Sequence, residues 1–195
     1  MGSSVPALIE KGASMLHGRI TRLRRIERED IPTFVRWFGD PDVREFLLLN
    51  RPISMAEEEQ WFARQLQSRD SEVFAIETTD GVHIGNTGLH DINWLHRNAE
   101  MGIVIGEKQY WGKGYGSDAA RVLLRFAFDE MNLHRVQLTV YEDNVRAIRA
   151  YEKCGFRQEG RLRDAIFRKG RYYDMLLMSI LSDELWSEQE EAGGA

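Results

Sequence analysis

Cysteine is almost absent. The chain of 195 residues carries one, Cys154, so no intramolecular disulfide can form and a reducing compartment suits it. No apolar run approaches the ~20 residues of a membrane-spanning helix. The N-terminus lacks the basic and apolar zones of a secretory signal. Met1-Gly2-Ser3-Ser4 opens like a myristoylation site, but Pro6 stands where Ser or Thr is required. An excess of positive charge is also missing: 26 Lys and Arg stand against 31 Asp and Glu, a net charge of -5. That balance argues against a nucleic-acid binder, which would normally show a basic face, and leaves room for a cationic substrate. No cluster of Cys, His and carboxylates has the spacing of tetrahedral metal ligands. The expectation is a cytoplasmic protein with no metal, membrane or nucleic-acid partner.

What is present suits a single globular unit. Hydrophobic residues make up 43% of the chain, enough for one substantial core, and no internal repeat or low-complexity segment divides it. The boundaries read as a flexible lead over 1–18, one domain over 19–182 and an acidic tail over 183–195. Residues 19 to 26 alternate as a strand, and Glu29 to Phe38 form a short helix with Pro32 in its first turn. Ser54 and Glu57 make a capping-box signal that opens a helix to about Ser68. The triplet Glu57-Glu58-Glu59 reads there as a solvated first turn favoured by the dipole. Strands follow at about 72–78, 82–90 and 98–106. A loop and helix over 109–131, a strand, a helix, and two strands near 157–167 and 171–181 complete the order, with Gly170 turning the last hairpin.

The most informative stretch is Gln109-Tyr110-Trp111-Gly112-Lys113-Gly114-Tyr115-Gly116-Ser117. The strand Ile103-Val104-Ile105 runs into it, and a helix with Ala120, Leu123, Leu124, Ala127 and Met131 on one face runs out. Glycines at a positive helix end make a phosphate cradle. A Walker loop needs Gly at position 107 and Ser or Thr after Lys113, but the chain has Glu107 and Gly114. A dinucleotide fingerprint needs the spacing Gly-x-Gly-x-x-Gly, and the chain has Gly-x-Gly-x-Gly. The pattern Gln-x-x-Gly-x-Gly between strand and helix resembles the pyrophosphate loop of the GNAT acetyltransferases, which bind acetyl-coenzyme A.

A second motif lies downstream in register. The strand Arg135 to Val140 ends at Glu142-Asp143-Asn144, and a helix carrying Ala147, Ala150, Tyr151 and Cys154 stops at Gly155-Phe156. In the GNAT family an Asn at this corner touches the pantetheine arm and a Tyr seven residues on stands beside the thioether sulfur; Asn144 and Tyr151 have that spacing. The resemblance covers roughly residues 19 to 180, and is nearest to the branch of ribosomal-protein N-terminal and spermidine acetyltransferases. It implies an α/β (α+β) fold with a mixed, mostly antiparallel sheet of about seven strands and helices on both faces. It also implies transfer of an acetyl group to a primary amine, on a protein N-terminus or a small molecule. Polyamine acetylation is the alternative, supported by the acidic balance and by the run Asn93 to Glu100. A non-catalytic acyl-coenzyme A sensor is the alternative of another class. The branch often dimerises, so a homodimer is expected.

Acetyl transfer from a thioester to an amine needs a neutral amine, a stabilised oxyanion and a proton for the departing thiolate. Tyr151 is the candidate acid by resemblance, or else a core tyrosine. The backbone amides of Ile103, Val104 and Ile105 are the implied hydrogen-bond donors, on a strand that splays from its neighbour in the family. Glu100 is a lone carboxylate in an apolar strand and the candidate base, or else a structural partner of an arginine. Some N-terminal acetyltransferases carry a Glu five residues before the Asn, where this chain has Thr139. His90 and His96 are secondary candidates. In the loop, Gly112, Gly114 and Gly116 permit close approach, Lys113 adds charge, Tyr115 follows, Ser117 caps the helix and Gln109 braces the turn. Asn144 doubles as a helix cap. Carboxylates and aromatics at Glu29, Asp30, Trp37, Glu45 and Phe46, with Arg171, Tyr172 and Tyr173, are the expected acceptor wall.

Overall fold

A computed structural model describes residues 15–49 and 51–185. Eight strands form one sheet in the order β1-β2-β3-β4-β5-β6-β8-β7. They are β1 Leu16–His17, β2 Thr21–Arg25, β3 Glu72–Thr78, β4 His83–Asn93, β5 Asn98–Ile105, β6 Arg135–Tyr141, β7 Arg157–Arg168 and β8 Arg171–Leu181. All neighbours pair antiparallel except β5 and β6. The helices are α1 Ile31–Gly39, α2 Pro41–Arg44, α3 Met55–Gln67, α4 Tyr115–Arg125 and α5 Val145–Glu152. A π-helical turn, Phe126–Glu130, extends α4.

Period-2 alternation sends neighbouring side chains to opposite faces of the sheet. On β3, Phe74 and Ile76 join the core beneath α4 and α5, while Val73 and Ala75 join a second core with Phe34 and Trp37 of α1 and Phe62 of α3. Helices thus cover both faces. Ala120, Leu123 and Leu124 of α4 and Ala127 of the π-helical turn are fully buried, as their spacing predicts. At α3, Ser54 and Glu57 form the reciprocal capping box.

Three features depart from the sequence reading. The eighth strand is β1, which pairs Leu16 with Leu23 and His17 with Arg22, so the end of the expected lead joins the sheet; residues 1–14 lie outside the described region. At the other end the chain turns helically over 182–185 with Leu185 buried, and residues 186–195 of the expected tail lie outside the description. Glu58 is not part of a solvated first turn. It is buried on the inner face of α3, accepts no hydrogen bond from a described residue, and burial pushes its carboxyl up to about 7.

Candidate active site

The site begins with an interrupted ladder. β5 pairs with β4 as far as Ile105, but with β6 only through Asn98–Arg135, Ala99–Val136 and Glu100–Gln137. Beyond Glu100 the two strands part, and a cavity of about 510 Å³ occupies the gap. Gly106 donates its N–H to the Ile84 carbonyl on the β4 side. Alternation along the strand therefore turns Val104 toward β4 and Ile103 and Ile105 toward the gap. The Ile105 carbonyl agrees with this direction, because it accepts from Trp111 Nε1 at 2.6 Å. All three residues line the cavity.

One end of the gap is closed by the start of α4. Gly114 is its N-cap at φ 90°, and Gly112 sits at φ 72°, conformations that side-chain-bearing residues adopt at a cost. The first intrahelical bond runs from Asp118 N–H to Gly114 O at 3.0 Å. The N–H groups of Tyr115, Gly116 and Ser117 thus have no acceptor within the helix, and these residues line the cavity. Their free donors and the dipole make this end an anion site. The first-turn carboxylate of Asp118 does not oppose it. It faces backward and accepts from the backbone N–H of Arg19, Ile20 and Thr21 and from the Thr21 hydroxyl, at 2.7–3.1 Å. Burial opposes that charge, but the four donors outweigh burial and lower its pKa.

The α5 wall adds two kinds of group. Asn144 is the N-cap, its Oδ1 accepting from Ala147 N–H at 3.2 Å, which leaves its amide nitrogen without a partner among the described residues. Tyr151 lines the cavity, packs its ring 5.8 Å from that of Phe156, and makes no hydrogen bond among the described residues through its hydroxyl. Burial, reinforced by Cys154, pushes that phenol up to about 12, so it holds its proton throughout the neutral range. Arg146, Arg149 and Lys153 also line the cavity at spacings of three and four, one helical face. None of the three forms an ion pair with a described residue. Arg146 stacks on Trp111 at 4.3 Å, bridging the loop and α5.

The structure brings together most, not all, of the residues singled out by the sequence. Gln109 and Lys113 are exposed and stand outside the cavity lining, and Gln109 makes no bracing hydrogen bond among the described residues. Ser117 lines the cavity, yet the cap is Gly114. Glu100 is half-buried where β5 and β6 still pair, one step behind the lining. Its only side-chain hydrogen bond among the described residues is a long 3.5 Å contact from the Thr139 hydroxyl, and Thr139 does line the cavity. No arginine pairs with it there. His90 bonds Ser71 Oγ at 3.0 Å and burial lowers its pKa; His96 is exposed, and neither reaches the cavity. The expected acceptor wall needs correction. Asp30 pairs with Arg24 and Trp37 lies in the second core, and of the eight residues named for that wall only Phe46 lines the cavity, with Arg171, Tyr172 and Tyr173 outside it. Asp42, Leu47 and Tyr141 stand there instead. The cation row on α5 was missed because its three members fall either side of the better-known Asn and Tyr, although their helical spacing was legible.

Strand amides, a helix N-terminus and three cations that lack partners among the described residues lie along one cleft and fit a long ligand with phosphates at one end and an amide-bearing arm, which is the chemistry of coenzyme A. Comparison with known proteins leads to the same place. The acetyltransferase (GNAT) domain family model matches residues 21–157. The chain is 30% identical to the spermidine N(1)-acetyltransferase of Vibrio cholerae over 86% of its length and 96% of that protein's. It is 29% identical to the Escherichia coli K12 spermidine N(1)-acetyltransferase, covering 88% and 91%. A putative ribosomal N-acetyltransferase of Bacillus subtilis, YdaF, is 34% identical over 56% of this chain and 60% of that one. The crystal structure of the Vibrio cholerae enzyme in complex with CoA and spermine superimposes with a TM-score of 0.81 at 30% identity, covering 85% and 98%. The chain belongs to the GNAT acetyltransferase family, and its class of activity is acetyl-CoA-dependent N-acetyl transfer.

Proposed function

We propose that this chain acetylates a primary amine by direct attack of the neutral amine on the thioester carbonyl. The observation that carries the reading is the opening between β5 and β6, with Tyr151 on one side and the free end of α4 closing it. In this reading the N–H groups of Ile103 and Ile105 hold the pantetheine arm and the acetyl oxygen. Gly112, Gly114, Tyr115, Gly116 and Ser117 hold the diphosphate with help from Lys113, and the amide nitrogen of Asn144 meets the arm.

The proton inventory closes with Tyr151 as acid, Glu100 as base and Thr139 as relay. As the C–N bond forms and the C–S bond breaks, the Tyr151 hydroxyl gives its proton to the departing sulfur. The proton shed by the amine nitrogen passes through water and the Thr139 hydroxyl to Glu100, then to solvent, and Tyr151 is reprotonated. The balance is one amine and one thioester giving one amide and one thiol. Two relatives named for spermidine favour a polyamine acceptor as the second reading.

Titration calorimetry with acetyl-CoA, followed by free-thiol release with a panel of amines, tests the proposal. Binding and turnover are expected. Saturable binding with no thiol release from any amine would leave the sensing alternative, and absence of binding would overturn the assignment of residues 109–117.

A further inference from the structure

Beside the cavity lies a cation site that the chain fills with its own side chain. Arg168, from the end of β7, stacks on three aromatic rings, with Cζ 5.1 Å from the Phe46 centroid, 4.7 Å from Tyr141 and 4.5 Å from Tyr173. Its guanidinium also donates to Asp143 Oδ2 at 2.7 Å and to the Glu45 carbonyl. Three π faces, a carboxylate and a carbonyl are what an alkylammonium seeks. Two of those walls, Phe46 and Tyr141, are also walls of the cavity.

The nearby carboxylates are committed as well. Asp42, which lines the cavity, shares Lys108 with Asp40, each at 2.8 Å, Glu45 pairs with Lys169 at 2.6 Å, and Glu142 shares Arg161 with Asp174. What remains on this wall is apolar: Val43, Phe46, Leu47 and the Tyr141 ring. A polyamine brings two or more charges, each of which must be desolvated against an available anion or π face. A second ammonium would find those faces taken and a fixed positive charge behind them.

Resting on the acetyltransferase reading, we propose that Arg168 sets acceptor class by occupying this cage, so that the enzyme takes an amine with one positive charge beside an apolar body and discriminates against polyamines. The single ammonium is lost by deprotonation before attack, and the apolar body packs on Phe46 and Leu47. An arylalkylamine and a peptide with a bulky apolar N-terminal residue share this chemistry.

The test is kcat/KM by free-thiol release for 2-phenylethylamine, a Leu-initiated tetrapeptide and spermidine, with the parent and with Arg168→Ala, Arg168→Gln and Arg168→Lys. For the parent, at least one single-charge amine is expected to exceed spermidine by about tenfold or more, and the larger of the two values says which source of the amine is used. Emptying the cage in the Ala or Gln variant is expected to raise spermidine relative to that amine by about tenfold, while Lys retains the parent's order. Circular dichroism and acetyl-CoA affinity report whether each variant is folded, and the parent's own order decides if none is. Preference of the parent for spermidine, or an unchanged ratio in folded Ala and Gln variants, would overturn the proposal while leaving acetyl transfer intact. Loss of acetyl-CoA binding and of turnover in the parent would instead overturn the acetyltransferase reading and this proposal with it.

Discussion

Tyr151 and Glu58 are both displaced from their ordinary titration range by burial, and with opposite consequences. Tyr151, pushed up to about 12, stays a proton donor across the working range. Tyr151→Phe is expected to lower kcat for thiol release by about 100-fold while leaving the acetyl-CoA Kd within about twofold, because the proposed mechanism asks only proton transfer of that hydroxyl. The parent's rate should show no fall between pH 9 and 10.5 attributable to an ordinary phenol, checked at saturating amine. Glu58 has no hydrogen-bonding or ionic partner among the described residues to offset its burial, and its folded pKa of about 7 exceeds the ordinary 4.5. A raised folded value means that the protonated form is the one the fold tolerates: stability is complete below about pH 4.5 and falls as pH rises through 7. Glu58→Gln is therefore expected to be near neutral at pH 4.5 and to stabilise by up to roughly 3 kcal/mol at pH 8, read from urea melts at both values. Nothing in the residue pattern singles out Glu58, since three successive glutamates in a first turn satisfy the dipole equally well whichever of them faces inward.

Secondary elements decide how the ligand groups are presented. The start of α4 depends on Gly114 at φ 90°, so Gly114→Ala is expected to cost about 1–2 kcal/mol of stability and to weaken acetyl-CoA binding by an order of magnitude or more, measured by calorimetry. On α5 the unpaired cations act at range. Arg149→Glu is expected to weaken acetyl-CoA binding by about three- to tenfold at low salt, with the difference shrinking as ionic strength rises. Most elements were legible from periodicity and punctuation: the alternation of β3, the capping box at α3 and the stripe on α4 each encode their own geometry locally. Element bounds and neighbours were less so. The acceptor wall was misread because Trp37 and Asp30 look like surface candidates in a list of residues, yet the pairing of β2 with β3 and the stacking of α1 on the sheet draw both inward. Likewise, alternation predicts that β5 is a strand but is silent on where its partner leaves it.

At the scale of the whole molecule, a few buried charges join distant parts of the chain. Asp118 fastens α4 to the turn before β2 across nearly a hundred residues of sequence. A Cβ at Gly18 would collide with that carboxylate, so the turn and the acid specify each other. Asp30 plays a similar part in the second core: burial opposes its charge, but Arg24 and His83 overcome that and hold its carboxyl well below the usual range. Both folded pKa values are depressed. Their stabilisation is thus present above the ordinary value of 3.8 and is lost as pH falls through the lower folded values. Asp118→Asn is expected to cost roughly 2–3 kcal/mol at pH 7 in urea unfolding, with a gap to the parent that narrows as pH drops below 3.8. These long-range pairs were invisible in the sequence because each partner taken alone looks like ordinary surface charge.

The parting of β5 from β6 also bears on how the protein withstands heat. Only three residue pairs join them, so the sheet is two panels on a narrow hinge rather than one continuous plate. A molecule that lies along the gap and bonds to both panels is in effect a removable brace. Melting temperature should then climb with the concentration of acetyl-CoA, by the equivalent of about 2.7 kcal/mol at 100 times its Kd. Short of saturation, the panels should exchange amide hydrogens at β5 and β6 faster than at β3 and β4, making endurance in the cell a reading of coenzyme supply.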